Sequence, residues 1–269
     1  MGFWEIMSTY GLIISIIMMV ISLIISANCK HAFNKYSKVM ASNGMTGAEA
    51  AQRILSAYGV HDVTIQHISG NLTDNYNPKD KTLNLSDSVI ASNSIAAIGV
   101  AAHECGHAIQ DNVGFVPNKI RAALVPGANI GSRFGPYLAI IGVIMMGYLD
   151  SDAADNSIGS TIFFIGIVLF ALAVLFYLVT LPVELDASRR ALKILERDGL
   201  LAGSEMAGAR SVLSAAAMTY VAAAASAIVT LLRLISYGKS IFSKIAFENQ
   251  RITSVISTIR LDSSGSQHP

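Results

Sequence analysis

Four long runs of apolar residues, separated by more polar stretches, set the broad class of the chain. They cover residues 10–27, 134–149, 156–183 and 211–232. About 20 consecutive apolar residues are enough for a helix to cross the hydrocarbon core of a bilayer. The third run is the most apolar, whereas the Ala-rich fourth run is the weakest and also fits a buried helix. The pattern predicts a mainly α-helical integral membrane protein with about three to four transmembrane helices.

The run at 10–27 is expected to stay in the mature protein. A cleaved signal peptide has a basic segment before its apolar core and a small-residue cleavage site after it. Only Glu5 precedes this run, and no convincing cleavage site follows it. We therefore interpret the run as a retained transmembrane helix.

Three glycines lead into the run at 134–149. Gly127, Gly131 and Gly135 follow one another at four-residue spacing. On a helix this spacing places them along one face, where small residues let two membrane helices approach closely. A close helix contact is expected there.

The polar stretch between the first two runs begins with a short predicted helix. Thr46 and Glu49 have the spacing of a capping box, which opens a helix. Gly59 is a suitable stop for that helix.

Residues 63–68 and 82–85 alternate between apolar and polar in the manner of strands. The segment between them, at 71–80, is rich in turn residues. The pattern predicts one small β hairpin or a pair of strands.

The apolar, Ala-rich stretch at 94–110 predicts a helix and contains the sequence HECGH at 103–107. Residues i and i+4 share a helix face, so His103 and His107 point the same way, one turn apart. Two imidazoles in this arrangement can bind one zinc ion at about 2.0–2.1 Å. Glu104 is offset from them and can reach a zinc-activated water without ligating the metal, as a general base does. This is the HExxH pattern of zinc peptidases.

A catalytic zinc that is held by two histidines needs a third protein ligand. The segment after the third apolar run contains Glu184 and Asp186, which are two residues apart and cannot both face one metal from a helix. Glu184 would lie at the membrane boundary. The alternative interpretation of Glu184 is an interfacial carboxylate that pairs with Arg189 or Arg190.

Composition and charge narrow the class further. Hydrophobic residues make up 52% of the chain and charged residues 14%, which is too apolar for an ordinary soluble domain. The formal net charge of +1 gives no indication of nucleic-acid binding. Cys29 and Cys105 are expected to be reduced and buried rather than joined in a disulfide.

The distribution of charge predicts how the chain is oriented in the membrane. Asp150, Asp152 and Asp155 form an acidic connection between the second and third apolar runs, without Lys or Arg. The regions 30–133 and 184–210 carry several basic residues, and the positive-inside rule places such regions in the cytoplasm. The HECGH helix is therefore expected on the cytoplasmic side of a multi-pass cell-membrane protein.

One membrane-embedded domain is predicted over residues 1–235, followed by an amphipathic or disordered tail at 236–269. The tail contains basic residues, among them Lys239, Lys244 and Arg251. If the run at 211–232 spans the membrane, this tail lies outside and departs from the positive-inside rule. The sequence leaves open whether that run spans fully.

Six segments between about residues 44 and 220 carry a resemblance to a known family. They read GMTGAEAAQRIL, GNLTDNYNPKDKTLNLS, SIAAIGVAAHECGHAIQ, ALVPGANIGS, LPVELDASRRAL and AAAMTYVAAA. Together they resemble the YugP-like neutral zinc metallopeptidases, membrane proteins related in layout to the HtpX and CAAX prenyl protease group. The resemblance implies a zincin-like peptidase core.

The resemblance also implies roles for individual residues. By it, His103, His107 and Glu184 are the zinc ligands and Glu104 is the catalytic base. The HtpX group carries Glu-x-x-Ala-Asp, whose Asp supports a zinc-bound histidine, whereas this chain has Ser188 at that position. Either Ser188 or, by a different path, Asp186 is expected in the supporting role.

Tyr220 has two interpretations. It is the only aromatic hydroxyl in the matching C-terminal segment MTYVAAA, so it is a candidate to stabilise the oxyanion of the reaction. The alternative is a tyrosine at the membrane–water interface, where this residue type is enriched.

The expected function is that of a membrane-bound zinc metalloendopeptidase at the membrane–cytoplasm interface. Its substrates would be proteins or peptides, including membrane proteins, and the predicted strands are a candidate shelf for an extended substrate; a plain surface hairpin is the alternative. The rival function is a membrane zinc-binding scaffold that does not cut. The intact Glu104 argues against it, and Cys105 points away from the histidine face and so could not complete a closed structural site.

Overall fold

The structure is a computed structural model that describes residues 2–148 and 155–265. Six helices and three strands occur in these residues. In chain order they are α1 (Phe3–Tyr36), α2 (Gly47–Ala57), β1 (Thr64–Ile68), β2 (Asn75–Asn77), β3 (Thr82–Ser86), α3 (Ile95–Asn112), α4 (Val116–Tyr148), α5 (Asp155–Arg197) and α6 (Ser204–Gly265). The predicted acidic connection is described only at Asp155, because Asp150 and Asp152 lie outside the described residues.

Four of these helices, α1, α4, α5 and α6, are long and apolar enough to cross a membrane. This confirms the predicted class, a mainly α-helical membrane protein with a small sheet. The apolar segment of α5 has the highest mean hydropathy, as predicted. The value for α4 is lower than that for α6, but these values do not refer to the runs at 134–149 and 211–232, so the ranking of the run at 211–232 as the weakest stays a prediction. The prolines and polar residues of α4 lower its mean hydropathy.

The chain divides into two compact units, and each of the four long helices contributes to both. The first unit contains Met1–Ser15, Gly127–Ala173 and Ile228–Pro269, and the second contains Ile16–Pro126 and Val174–Ala227. The sequence-based division into a domain at 1–235 and a tail at 236–269 stays a prediction. Helix α6 passes residue 235 without a break and continues to Gly265.

Helices α4 and α5 pack closely within the first unit, as the glycine spacing predicted. A Cβ atom added at Gly131 would overlap the backbone of α5, and one at Gly135 would lie 2.8 Å from the backbone nitrogen of Phe170. A Cβ at Gly127 would make only an ordinary van der Waals contact. The close approach therefore depends on Gly131 and Gly135.

Helix α2, in the second unit, begins and ends where its local sequence predicts. The Thr46 hydroxyl accepts a hydrogen bond from the backbone nitrogen of Glu49 at 3.2 Å, and the Glu49 carboxylate accepts one from the backbone nitrogen of Thr46 at 2.8 Å. This is the predicted capping box. After the helix, Gly59 has a φ of +70°, which a residue without a side chain adopts at little cost.

The sheet has the strand order β1-β3-β2. Strands β1 and β3 are parallel, so the predicted pair of strands exists, but a hairpin made of these two strands was the wrong alternative. The hairpin consists of β2 and β3, and β2 lies inside the segment 71–80, which is rich in turn residues. Two parallel neighbouring strands need a crossover connection between them. Here the connection from β1 to β3 contains β2, which forms an edge of the sheet.

Helix α3 begins after Ser94, whose hydroxyl accepts a hydrogen bond from the backbone nitrogen of Ala97 at 3.2 Å. Its apolar side chains, such as Ile98 and Ala101, are fully buried. They share one core with α2, β3 and the parts of α5 and α6 that belong to the second unit. The helix that carries HECGH is therefore a rigid central element of this unit.

Candidate metal centre

The second unit brings the side chains of His103, His107 and Glu184 together. The Oε2 atom of Glu184 lies 3.3 Å from His103 Nε2 and 3.4 Å from His107 Nε2. One potential ligand atom from each residue lies within 4.8 Å of the others. The carboxylate that is remote in sequence thus joins the two histidines of α3.

Gly106, inside the HECGH sequence, allows α3 to approach α5 this closely. A Cβ atom at Gly106 would lie 2.7 Å from the carbonyl oxygen of Ala187, a distance that real Cβ atoms essentially never show. Ala187 is fully buried and follows Glu184 by one helical turn. The point of closest approach between the helices is therefore next to the three clustered side chains.

The environment of Glu184 fits a bound cation. Its side chain is 3% exposed, and among the described residues its Oε2 atom has no hydrogen-bond partner. A buried carboxylate oxygen without a hydrogen-bond partner destabilises the folded state. This oxygen faces two imidazole nitrogens, so a cation bound between the three groups would satisfy it. Two imidazole nitrogens and one carboxylate oxygen are one of the protein donor sets found in catalytic zinc sites. The three residues therefore fit a zinc ion.

Arg121, near the start of α4, contacts the other oxygen of Glu184. Its Nη1 atom lies 3.2 Å from Glu184 Oε1. The alternative in which Glu184 pairs with Arg189 or Arg190 was wrong, because Arg190 Nε instead lies 2.6 Å from Asp186 Oδ2. Nothing in the sequence pattern indicates Arg121, since its partner lies beyond an apolar run.

Each histidine has a second partner on its other ring nitrogen. The Nδ1 atom of His103 lies 3.1 Å from Ser188 Oγ, and Nδ1 of His107 lies 3.0 Å from Gln110 Oε1. If the Nε2 atoms face a metal, the Nδ1 atoms carry the protons and donate them to these oxygens. Ser188 is thus in contact with His103, although it is a hydroxyl where the HtpX group has a carboxylate.

Gln110 connects α3 to α5. Its Nε2 atom donates hydrogen bonds to the carbonyl oxygen of Val183 and to Asp186 Oδ2, both at 2.9 Å. Asp186 therefore reaches His107 only through Gln110, which is fully buried. The one signal for Gln110 in the sequence is its position three residues after His107, on the same face of the helix.

Glu104 lines the same cavity as the cluster and is itself buried. The pKa of Glu104 is raised to about 7, mainly by burial; the charge of His103 opposes this rise and the charge of Glu184 adds to it. The backbone N–H of Tyr76 is close enough to the Glu104 carboxylate to lower its pKa. A carboxylate in this position is suited to accept and release a proton.

The cavity has a volume of about 360 Å³. Its walls come from the β2–β3 hairpin, including Tyr76 and Lys79, and from the first turns of α4, including Arg121 and Val125. Tyr220, from α6, also lines it. The structure thus places Tyr220 beside the cluster, facing the cavity.

Asp111, near the C-terminal end of α3, holds the β2–β3 hairpin in place. Its Oδ2 atom accepts hydrogen bonds from Tyr76 Oη at 2.8 Å and from Lys81 Nζ at 2.7 Å. Burial raises the pKa of Tyr76, and the hydrogen bond to Asp111 raises that of Lys81. Both groups therefore stay protonated as donors and fix the strand that lines the cavity beside Glu104.

Comparison with known proteins decides the family. Residues 11–239 match the family described as "Putative neutral zinc metallopeptidase". A curated relative from Bacillus subtilis (strain 168), "Putative membrane protease YugP", is 44% identical over 206 residues, which cover 77% of this chain and 86% of the relative. The chain belongs to this zinc metallopeptidase family. No solved structure matches it significantly.

Membership in the zinc metallopeptidase family agrees with the resemblance found in the sequence. It supports a protease role and implies zinc as the metal. The relative's description as a membrane protease agrees with the four apolar helices. In this family member both cysteines are free, and Cys105 Sγ lies 3.7 Å from the carbonyl oxygen of Ala51, away from the cluster.

Proposed function

We propose that the chain is a membrane-bound zinc metalloendopeptidase that hydrolyses peptide bonds of protein substrates at the membrane–cytoplasm interface. One observation carries the proposal. The buried Oε2 atom of Glu184, without a hydrogen-bond partner among the described residues, faces the Nε2 atoms of His103 and His107 in a cavity that Glu104 also lines.

In this proposal His103, His107 and Glu184 hold the zinc. Three protein ligands leave an open coordination position, which is typical of catalytic rather than structural zinc sites. When bound, zinc would polarise the attacking water and the scissile carbonyl. Arg121 keeps Glu184 in place through its other oxygen.

Glu104 is the general base. It follows His103 on α3 and lines the same cavity, so it can take a proton from the attacking water without ligating the metal. It then returns that proton to the nitrogen of the leaving amine.

Two further roles complete the proposed site. The Tyr220 hydroxyl, on the cavity wall, donates a hydrogen bond to the oxyanion that forms as the carbonyl is attacked. Ser188 orients His103 directly, and Asp186 orients His107 through Gln110.

The substrate is proposed to be an extended protein or peptide segment that binds along β2. This strand is an edge of the sheet, and an edge offers unpaired backbone groups for strand addition. Residues of the β2–β3 hairpin, among them Asn77 and Lys79, line the cavity at the end of this edge.

The interfacial position is supported by the helices that carry the site. Glu184 directly follows the most apolar run of the chain, and its helix α5 is a candidate membrane span, so the carboxylate falls at the membrane boundary. The basic residues of 30–133 and 184–210 favour the cytoplasmic side.

The test is cleavage of casein by the purified protein together with metal analysis, with and without a chelator. We expect about one zinc per chain and activity that the chelator removes and added zinc restores. Glu104→Gln should lower cleavage by about 10²–10⁴-fold and leave zinc bound, because the base is not a ligand. A protein that binds zinc but cuts neither casein nor membrane substrates would instead be the scaffold. Zinc lost together with activity in Glu104→Gln would contradict the role of Glu104.

A further inference from the structure

A separate cavity with several polar and basic side chains in its wall lies in the first unit, between the N-terminal turns of α1 and the C-terminal half of α6. It has a volume of about 580 Å³. Trp4 and Ser8 line it from α1, and Lys239, Ser240 and Lys244 line it from α6. This group is separate from the residues of the metal centre.

Trp4 and Lys239 are in contact across the cavity. The Lys239 ammonium lies 5.1 Å from the centre of the Trp4 ring, within the range of a cation–π interaction. Tryptophan is enriched at the headgroup level of a bilayer because one end of its ring system is polar and the rest is apolar. The contact therefore places a cation where lipid headgroups lie.

Arg233 does not line the cavity but lies beside it on α6. It precedes Ser236, another residue of the cavity wall, by three positions. Its side chain crosses α1 at Gly11, where an added Cβ would lie 2.9 Å from Arg233 Cγ. Its Nε atom is buried and has no hydrogen-bond partner among the described residues. An ionised side chain within a membrane span is costly and commonly marks a functional site.

Glu5, whose carboxylate lines the cavity, is not a hydrogen-bond partner of Arg233 Nε. Glu5 lines the cavity, but its Oε2 atom accepts a hydrogen bond from the backbone nitrogen of Gly2 at 2.8 Å. It is thus tied to the first turn of its own helix. Two lining cations, Lys239 and Lys244, against this one carboxylate leave the groove with a net positive charge that an anion would balance.

We propose that this groove, formed by Trp4, Lys239 and Lys244 and flanked by Arg233, binds the phosphate of an anionic membrane phospholipid. Basic pockets between membrane helices are suited to such headgroups. A lipid is the natural source of the phosphate, because α1 and α6 are both candidate membrane spans and the groove lies at the ends of their apolar segments. The bound phosphate balances the positive charge of the basic residues that follow the run at 211–232.

The test uses Trp4, which is the only tryptophan of the chain. The purified full-length protein is placed in phosphatidylcholine nanodiscs that contain an equal minor fraction of either brominated phosphatidylglycerol or brominated phosphatidylcholine. Bromine quenches tryptophan fluorescence at short range, so the ratio of the two quenching efficiencies measures the preference for the anionic lipid. We expect stronger quenching by phosphatidylglycerol.

Two variants keep the Trp4–Lys239 contact and remove a charge. Arg233→Gln and Lys244→Gln should each lower the preference by about fivefold, the usual contribution of one cation near an anionic lipid surface. Lys193→Gln, an exposed lysine outside the groove, is the matched control and should keep the preference. If Arg233→Gln does not fold, the exposed Lys244 still provides the test.

Three results would overturn the proposal. The first is equal quenching of the unmodified protein by the two brominated lipids. The second is a preference that persists in both groove variants. The third comes from titrating detergent-solubilised protein with inorganic phosphate: a saturable change in Trp4 fluorescence would indicate a site for free phosphate rather than for a lipid.

Discussion

The side-chain amide of Gln110 donates a hydrogen bond to the carbonyl oxygen of Val183 at 2.9 Å. Val183 is the residue before Glu184, and the other end of the Gln110 amide faces His107 at 3.0 Å. One buried side chain therefore sets the distance between two clustered residues that are far apart in sequence. Substituting Gln110 alone tests this positioning role separately from the metal-binding role of the clustered residues.

Gln110→Leu should weaken zinc binding by about 10–100-fold, because His107 loses the partner that orients its ring and α5 loses its tie to α3. Chelator competition measures the zinc dissociation constant. Gln52→Leu, on the exposed face of α2, is the matched control and should bind zinc as the unmodified protein does. Unchanged affinity in Gln110→Leu would show that the amide does not position the site.

Glu184→Ala should lower both zinc affinity and casein cleavage, since two histidines alone hold the ion poorly. Glu184→Asp, one methylene shorter, should keep part of both. Asp186→Ala should be milder, because Asp186 acts on His107 only through Gln110. Metal content after dialysis and cleavage rate are measured on all three. A larger loss in Asp186→Ala than in Glu184→Ala would reverse the assignment of the third ligand.

Gly106→Ala should destabilise the protein by about 1–3 kcal/mol, because the new methyl group overlaps the Ala187 carbonyl and the helices must separate. Thermal unfolding in detergent measures the effect. Gly99→Ala is the control in the same helix, where an added Cβ lies 3.7 Å from Ala209 Cβ, an ordinary contact. Equal midpoints for the two variants would argue against a close approach at Gly106.

The cytoplasmic orientation is tested by labelling in intact cells. A cysteine at position 77, in place of Asn77, should be protected from a membrane-impermeant reagent, and a reporter inserted at 150–155 should be exposed outside. The two native cysteines should be labelled only weakly, because Cys105 is buried and Cys29 is partly buried. The opposite pattern would reverse the topology and leave the proposed metal centre unaffected.

Local patterns in the sequence determined the elements whose physics is local. The capping box at Thr46 and the cap at Ser94 fix helix starts through hydrogen bonds that span three residues. The four apolar runs identify the membrane class, because burial in lipid depends on composition over about 20 residues. The four-residue spacing of His103 and His107 puts their imidazoles on one face whatever surrounds them.

The partners of those elements were decided only by the tertiary structure. Alternation along β1 and β3 indicates strands but not their direction, and here they are parallel, with β2 completing the sheet at its edge. The role of Glu184 as a zinc ligand was predicted only through the family resemblance, because its distance to His107 depends on the helix packing at Gly106. Arg121 carries no local signal, and Gln110 has only its position three residues after His107, because an ion pair or hydrogen bond across two helices depends on the fold that brings them together.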